Sequence, residues 1–160
     1  MAEPISLRFE STLFAPRERV WEWITSVQGI LAEMWPLFRM TVPGGVRNLA
    51  DVRVAPGTRL FRSYVFLFGV LPIDYSDLTL LELTPGQGFL EQSPMGSMKL
   101  WRHERRILPC PTDRAAVVLV DQLTFEPRWA TAVVHWFIRR AFEHRHRVLR
   151  AHFGAGAPGA

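Results

Sequence analysis

From Arg59 to Phe125 the chain alternates between short extended segments and tight turns, and it then enters one long amphipathic helix. This succession constrains the fold more than any other feature. Arg59–Phe68 and Ile73–Leu83 are rich in aromatic and branched residues, with Gly69 and Pro72 between them. "TPGQG" at 84–88 is a turn, and Phe89–Ser93, Leu100–Leu108 and Ala116–Phe125 again read as extended. Connections this short make successive strands neighbours, so the segments form an antiparallel meander. The closing helix, Arg128–Phe153, places Val134, Phe137, Ile138, Ala141, Val148 and Leu149 on a broad apolar stripe. Such a stripe has to be covered, and a sheet that curves over the helix covers it.

The front of the chain supplies the remaining elements. Ile5–Phe14 reads as a strand, and Pro16 suits the first turn of a helix carrying Val20, Trp23, Ile24 and Val27 and ending at Gly29. Ile30–Met34 reads as a second short helix stopped by Pro36, Phe38–Val42 as a short strand, and "PGGVRNLADVRVAPG" as a loop. Pro127 marks the start of the last helix, and Trp129 and Trp136 on it are expected in the core or a cavity wall. The expected organisation is one domain over 1–153 with a flexible tail at 154–160. A chain of 160 residues, 48% of them hydrophobic, buries a core without metal or disulfide support. The lone Cys110 excludes an internal disulfide and a multi-cysteine zinc motif.

No signal-peptide core and no apolar run near the ~20 residues of a membrane helix occurs, so a soluble, cytoplasmic protein without integral membrane association is expected. The net charge of +4 rests on arginine, with Lys99 the sole lysine. The arginines are spread along the chain, so nucleic acid is not expected as a partner. The lysine-poor, arginine-rich usage fits a high-GC bacterial genome. Arg145, Arg147 and Arg150 lie near the C-terminus of the last helix, where cations complement its dipole.

One strand breaks the rule that a half-buried strand keeps its inner face apolar. In "GSMKLWRHERRI" (96–107), Trp101, His103, Arg105 and Ile107 share one side. The following strand puts Leu119, Asp121, Leu123 and Phe125 on one side, and the preceding one pairs Phe89 with Glu91. If the three are neighbours, Glu91, His103, Arg105 and Asp121 converge beneath the helix. An unpaired buried ion is costly, so these groups belong together as a set. The set reads as a structural ion network, as the polar end of a ligand cavity, or as an acid–base site with His103 and Asp121 as catalytic candidates. The ligand-binding candidates are Phe89, Glu91, Trp101, His103, Arg105, Asp121 and Phe137. No metal site or cofactor is expected: His144 and His146, two residues apart, face different sides of the helix.

"FAPRERVW" at 14–21, "FLEQSPMGSMKLWRHERRI" at 89–107, Asp121 and "FEHRHRVLRAHFG" at 142–154 together resemble the START-like, helix-grip (SRPBCC) superfamily, especially its bacterial ligand-binding and polyketide-cyclase-like branch. The resemblance implies an α+β fold in which about seven antiparallel strands grip a C-terminal helix around a deep apolar cavity. It implies a hydrophobic ligand (a lipid, a sterol-like molecule or an aromatic polyketide), and in some members a cyclase or dehydratase activity. Glu91, Trp101, His103 and Asp121 match recurrent inward positions. The chain departs from the pattern at Ser97 and Met98, and at Arg105, where a second histidine is usual.

Three functions follow as expectations. The first is binding of a hydrophobic small molecule, the second a cyclase- or dehydratase-type enzyme using His103 as general acid/base, and the third an interaction protein using the basic C-terminal helix. A homodimer is left open.

Overall fold

In the computed structural model, which describes residues 3–154, seven strands form one antiparallel sheet in the order β1-β7-β6-β5-β4-β3-β2. They are β1 (Ile5–Leu13), β2 (Phe38–Met40), β3 (Arg59–Leu67), β4 (Leu71–Thr84), β5 (Gly88–Gln92), β6 (Met98–Pro109) and β7 (Val117–Pro127). Helices α1 (Arg17–Thr25) and α2 (Val27–Met34) link β1 to β2, and α3 (Thr131–Phe153) follows β7 and packs on β1, β7 and α2. The sheet curls around α3, the helix-grip arrangement that a meander followed by one long helix implies. The tail read at 154–160 lies, from residue 155 on, outside the described residues.

The interior is layered along the strands. One apolar cluster holds Leu13, Ile107, Leu119, Leu149 and Phe153, and the other holds Leu7, Leu123, Phe125 and Phe142. Between them β1, β6, β7 and α3 contribute buried polar residues: Ser11 on β1, Asp121 on β7, His103 and Arg105 on β6, and His146 on α3. Alternation on the strands and the i, i+4, i+7 spacing on the helix bring these positions to one level. The result is a polar belt clamped between two greasy layers.

Two boundaries differ from the sequence reading. Ser26 is extended, and its side chain accepts a 2.9 Å hydrogen bond from the Gly29 amide, so α2 begins at Val27 and not after Gly29. Gly29 sits inside α2 because a Cβ there would fall 2.1 Å from the Trp23 carbonyl oxygen. The glycine marks a close approach of two helices rather than a helix end. Likewise Pro127 closes β7, the Arg128 amide donates to the Ser97 carbonyl, and Ala130 turns through φ 51° before α3 starts at Thr131.

Trp136 also departs from expectation, being 56% exposed, whereas Trp129, at 61% exposed, still forms part of a cavity wall. The stripe that the sheet covers runs through Ala141, Phe142, His146, Leu149 and Phe153, and Trp136 lies off it.

Candidate functional site

The pairing of the three strands carrying the candidates is as the alternation requires. Glu91 on β5 is registered with His103 on β6, and Arg105 on β6 with Asp121 on β7. Arg105 and Asp121 are fully buried and His103 nearly so.

Asp121 is the hub. Its Oδ1 accepts from His103 Nε2 at 2.6 Å and from Arg105 Nε at 2.7 Å. Its Oδ2 accepts from Arg105 Nη2 at 2.7 Å and from His146 Nε2 at 2.8 Å. Four donors fill the acceptor capacity of a carboxylate. Burial by itself would raise the Asp121 pKa, but the charges and hydrogen bonds of Arg105 and His103 outweigh it and hold the carboxyl well below its ordinary value. Burial would likewise lower the Arg105 pKa, and the Asp121 and Glu33 charges reverse that, lifting it above the normal guanidinium range.

Glu33 was not among the candidates. This fully buried residue of α2 accepts from Arg105 Nη1 at 3.0 and 3.1 Å, and from Arg145 of α3 at 2.9 Å. Asp121, Arg105, Glu33 and Arg145 thus alternate in sign from the sheet through α2 to α3. Arg105 meets Asp121 and Glu33, whereas Glu91 accepts from Ser93 Oγ at 2.7 Å and lies 3.6 Å from His103 Nδ1. A carboxylate amid the apolar run Ile30–Met34 was the sequence signal for Glu33.

His146 was likewise passed over as a binding group. From the helix, His146 delivers a second imidazole to Asp121. Its Nδ1 faces Ser11 Oγ at 2.7 Å, and Arg150 donates to the same oxygen at 2.8 Å. The spacing of His146 from Phe142 and Leu149 on the buried face was the available signal. Of the basic residues near the helix end, Arg145 and Arg150 are therefore engaged inside, and Arg147 is exposed.

Beside this belt lies a cavity of about 380 Å³ between the sheet, α2 and α3. Phe89, Glu91, Trp101, His103 and Phe137 line it, with Arg145 at its edge. Arg105 and Asp121 do not reach its surface; they stand behind His103 and fix that ring. Because an ionised carboxylate only accepts, His103 Nε2 carries the hydrogen of the 2.6 Å bond, and Nδ1 faces Glu91. Phe89 and Phe142 press their edges or faces against the imidazole at 5.6 and 5.2 Å between centroids. A second polar point on the wall is Asp74, which accepts from the Ser97 hydroxyl and, at 3.1 Å, from the Ser97 amide.

The depressed Asp121 pKa has a definite consequence for acid stability. A carboxyl whose folded pKa lies below its unfolded value stabilises the fold fully above about pH 4 and loses that contribution as pH falls toward the folded value. Thermal melts should therefore show a wild-type advantage over Asp121→Asn that is constant near neutrality and shrinks below about pH 4. An advantage that persisted unchanged into strong acid would contradict the assignment.

The curled sheet and the gripped helix define a START-like, helix-grip fold. The profile described as "Domain of unknown function (DUF8410)" matches residues 11–153, and the chain belongs to that family. Solved structures share the fold at low identity. The aromatase/cyclase Zhui from Streptomyces sp. R1128 superposes with a TM-score of 0.65 at 13% identity, covering 98% of this chain and 99% of that one. A START superfamily protein from Mycobacterium smegmatis gives 0.61 at 10% identity, covering 95% and 97%. Protein CV1439 from Chromobacterium violaceum gives 0.65 at 16%, covering 91% and 98%. No curated protein matches the sequence. Among the described residues, no helix is long and apolar enough to cross a membrane.

Proposed function

We propose that this protein binds a hydrophobic small molecule, lipid-like, sterol-like or an aromatic polyketide, in the cavity between sheet and α3. The carrying observation is an apolar space of about 380 Å³ whose wall holds the His103–Glu91 pair. That volume falls in the range of small-molecule sites, and a few polar groups on an apolar wall are what orient such ligands. Phe89, Trp101 and Phe137 supply the apolar wall in this reading, while Arg105 and Asp121 act by positioning His103. The 3.6 Å gap between His103 Nδ1 and Glu91 Oε2 is too long for a direct bond and suits a bridging ligand hydroxyl, which donates to Glu91.

A matched pair of probes tests this. By calorimetry, 2-naphthol should bind, and 2-methylnaphthalene, of similar shape, should bind about tenfold more weakly because Glu91 Oε2 is left without the hydroxyl donor. Equal affinities would remove the polar-end role, and saturable binding of neither compound would remove the cavity reading itself. A catalytic reading is favoured by one feature, the 2.6 Å His103–Asp121 contact behind a ring that reaches the cavity. For an acid–base enzyme, His103→Gln should keep binding and cut turnover roughly 10²–10⁴-fold; for a binder it changes affinity alone.

A further inference from the structure

Large apolar side chains are exposed mostly at one end of the molecule. Trp35, Phe68, Val70, Trp129, Val133 and Trp136 are each more than half exposed, and they come from three separate stretches of chain. The structure draws these stretches together. The Trp35 ring fills the space a side chain on Gly69 would take, and the Trp35 carbonyl is 2.7 Å from His144 Nε2 of α3. Phe137 of α3 lies 6.5 Å from the Phe68 ring and 5.7 Å from that of Trp136. Trp129 and Val133 are at once exposed and part of the cavity wall, so this end is where the cavity opens.

The charges around the opening are mostly positive. Residues 35–40, 66–74 and 128–140 carry four arginines, Arg39, Arg128, Arg139 and Arg140, against one acid, Asp74, which Ser97 engages. Arg39 lies over the Phe66 ring at 4.5 Å and Arg140 over the Trp136 ring at 5.7 Å, where it also meets Glu143 at 3.6 Å. Large apolar side chains gathered and exposed on a free protein mark a docking surface. A symmetric contact between two copies would set arginines against arginines, which disfavours self-association through this face. Indole rings beside guanidinium groups fit the boundary between anionic headgroups and acyl chains.

We propose that this end docks onto an anionic lipid bilayer, the exposed tryptophans and the Phe68–Val70 tip entering the interface and the four arginines meeting the headgroups. The proposal goes beyond the cavity reading and rests on the exposed rim, whatever the cavity holds.

Co-sedimentation of the full chain with vesicles tests it, using equal parts phosphatidylglycerol and phosphatidylcholine beside phosphatidylcholine alone. The mixed vesicles should bind the protein, with a blue shift of tryptophan emission and weaker binding at high salt. Trp129→Ala combined with Trp136→Ala should lower the partition coefficient about tenfold or more, since two large rings leave the interface. Arg147→Gln, at the other end of α3, should leave it unchanged. Circular dichroism melts confirm that the variants, all at exposed positions, remain folded.

Several results would overturn the proposal. One is no binding to either vesicle. Another is binding that Arg147→Gln reduces as much as the tryptophan pair does, which would indicate diffuse charge attraction. A third is a dimer dispersed by Trp136→Ala in a protein that ignores vesicles, which would make the face a contact between copies.

Discussion

Replacing Arg105 with methionine should lower the unfolding free energy by about 3–5 kcal/mol, the cost of leaving a buried ionic partner uncompensated. Arg105 is fully buried and is bound by Asp121 through two nitrogens and by Glu33 through a third. Methionine fills much of the same volume, so the loss reads the charge and not a cavity. Without Arg105, Asp121 keeps only its two histidine partners and Glu33 only Arg145, and the Asp121 carboxyl loses the charge that does most to hold its pKa down. The variant should therefore regain stability relative to wild type on acidification, where Asp121 takes up a proton more readily. Asp121→Asn in the same chain should recover part of the loss, which a double-mutant cycle measures. Set against a typical total of about 5–15 kcal/mol, the single change brings the fold near its limit. A loss under about 1 kcal/mol in urea titrations would show that the network contributes little.

The second large effect concerns the cavity. Ala141 is buried on α3 and lines the space that α3 and the sheet enclose. Ala141→Trp directs an indole into it, and on the proposed reading the affinity for 2-naphthol should fall about a hundredfold. Stability should fall by less than about 3 kcal/mol, within the range for overpacking, because the new ring enters existing space. Leu108→Trp, at a 43% exposed position outside the cavity, is the matched control and should bind as wild type does. If Ala141→Trp keeps full affinity, the ligand sits elsewhere.

The sequence made the sheet and its gripped helix readable because both rest on local periodicity. Alternation on β6 and β7 placed His103, Arg105 and Asp121 on the inner face, and short connections made their strands neighbours. Glu33 and His146 escaped for a different reason. Each lies on a helix whose approach to the sheet is set by the tertiary fold, so nothing local says that both point at β6 and β7. The Gly29 boundary was misread because a close approach of two helices and a helix end call for the same residue. Trp136 looks like core by type, and only the rotation of α3 leaves it outside.

The sheet is unequal in its two halves, and on the proposed reading this bears on how a ligand enters. The polar end of the cavity wall, at His103, stands on β6, which β7 backs along eleven registered positions and which the charge network ties to α2 and α3. The opposite edge is β2, three residues long, held to a β3 whose pairing with β4 is interrupted at two places. Amide hydrogens on β6 and β7 should therefore outlast those of β2 and the β3–β4 tip in exchange, the long ladder opening only with the whole molecule. Compliance is concentrated at the lip and rigidity at the polar end. On the proposed reading, a ligand enters by bending the lip while His103 and Glu91 hold their positions.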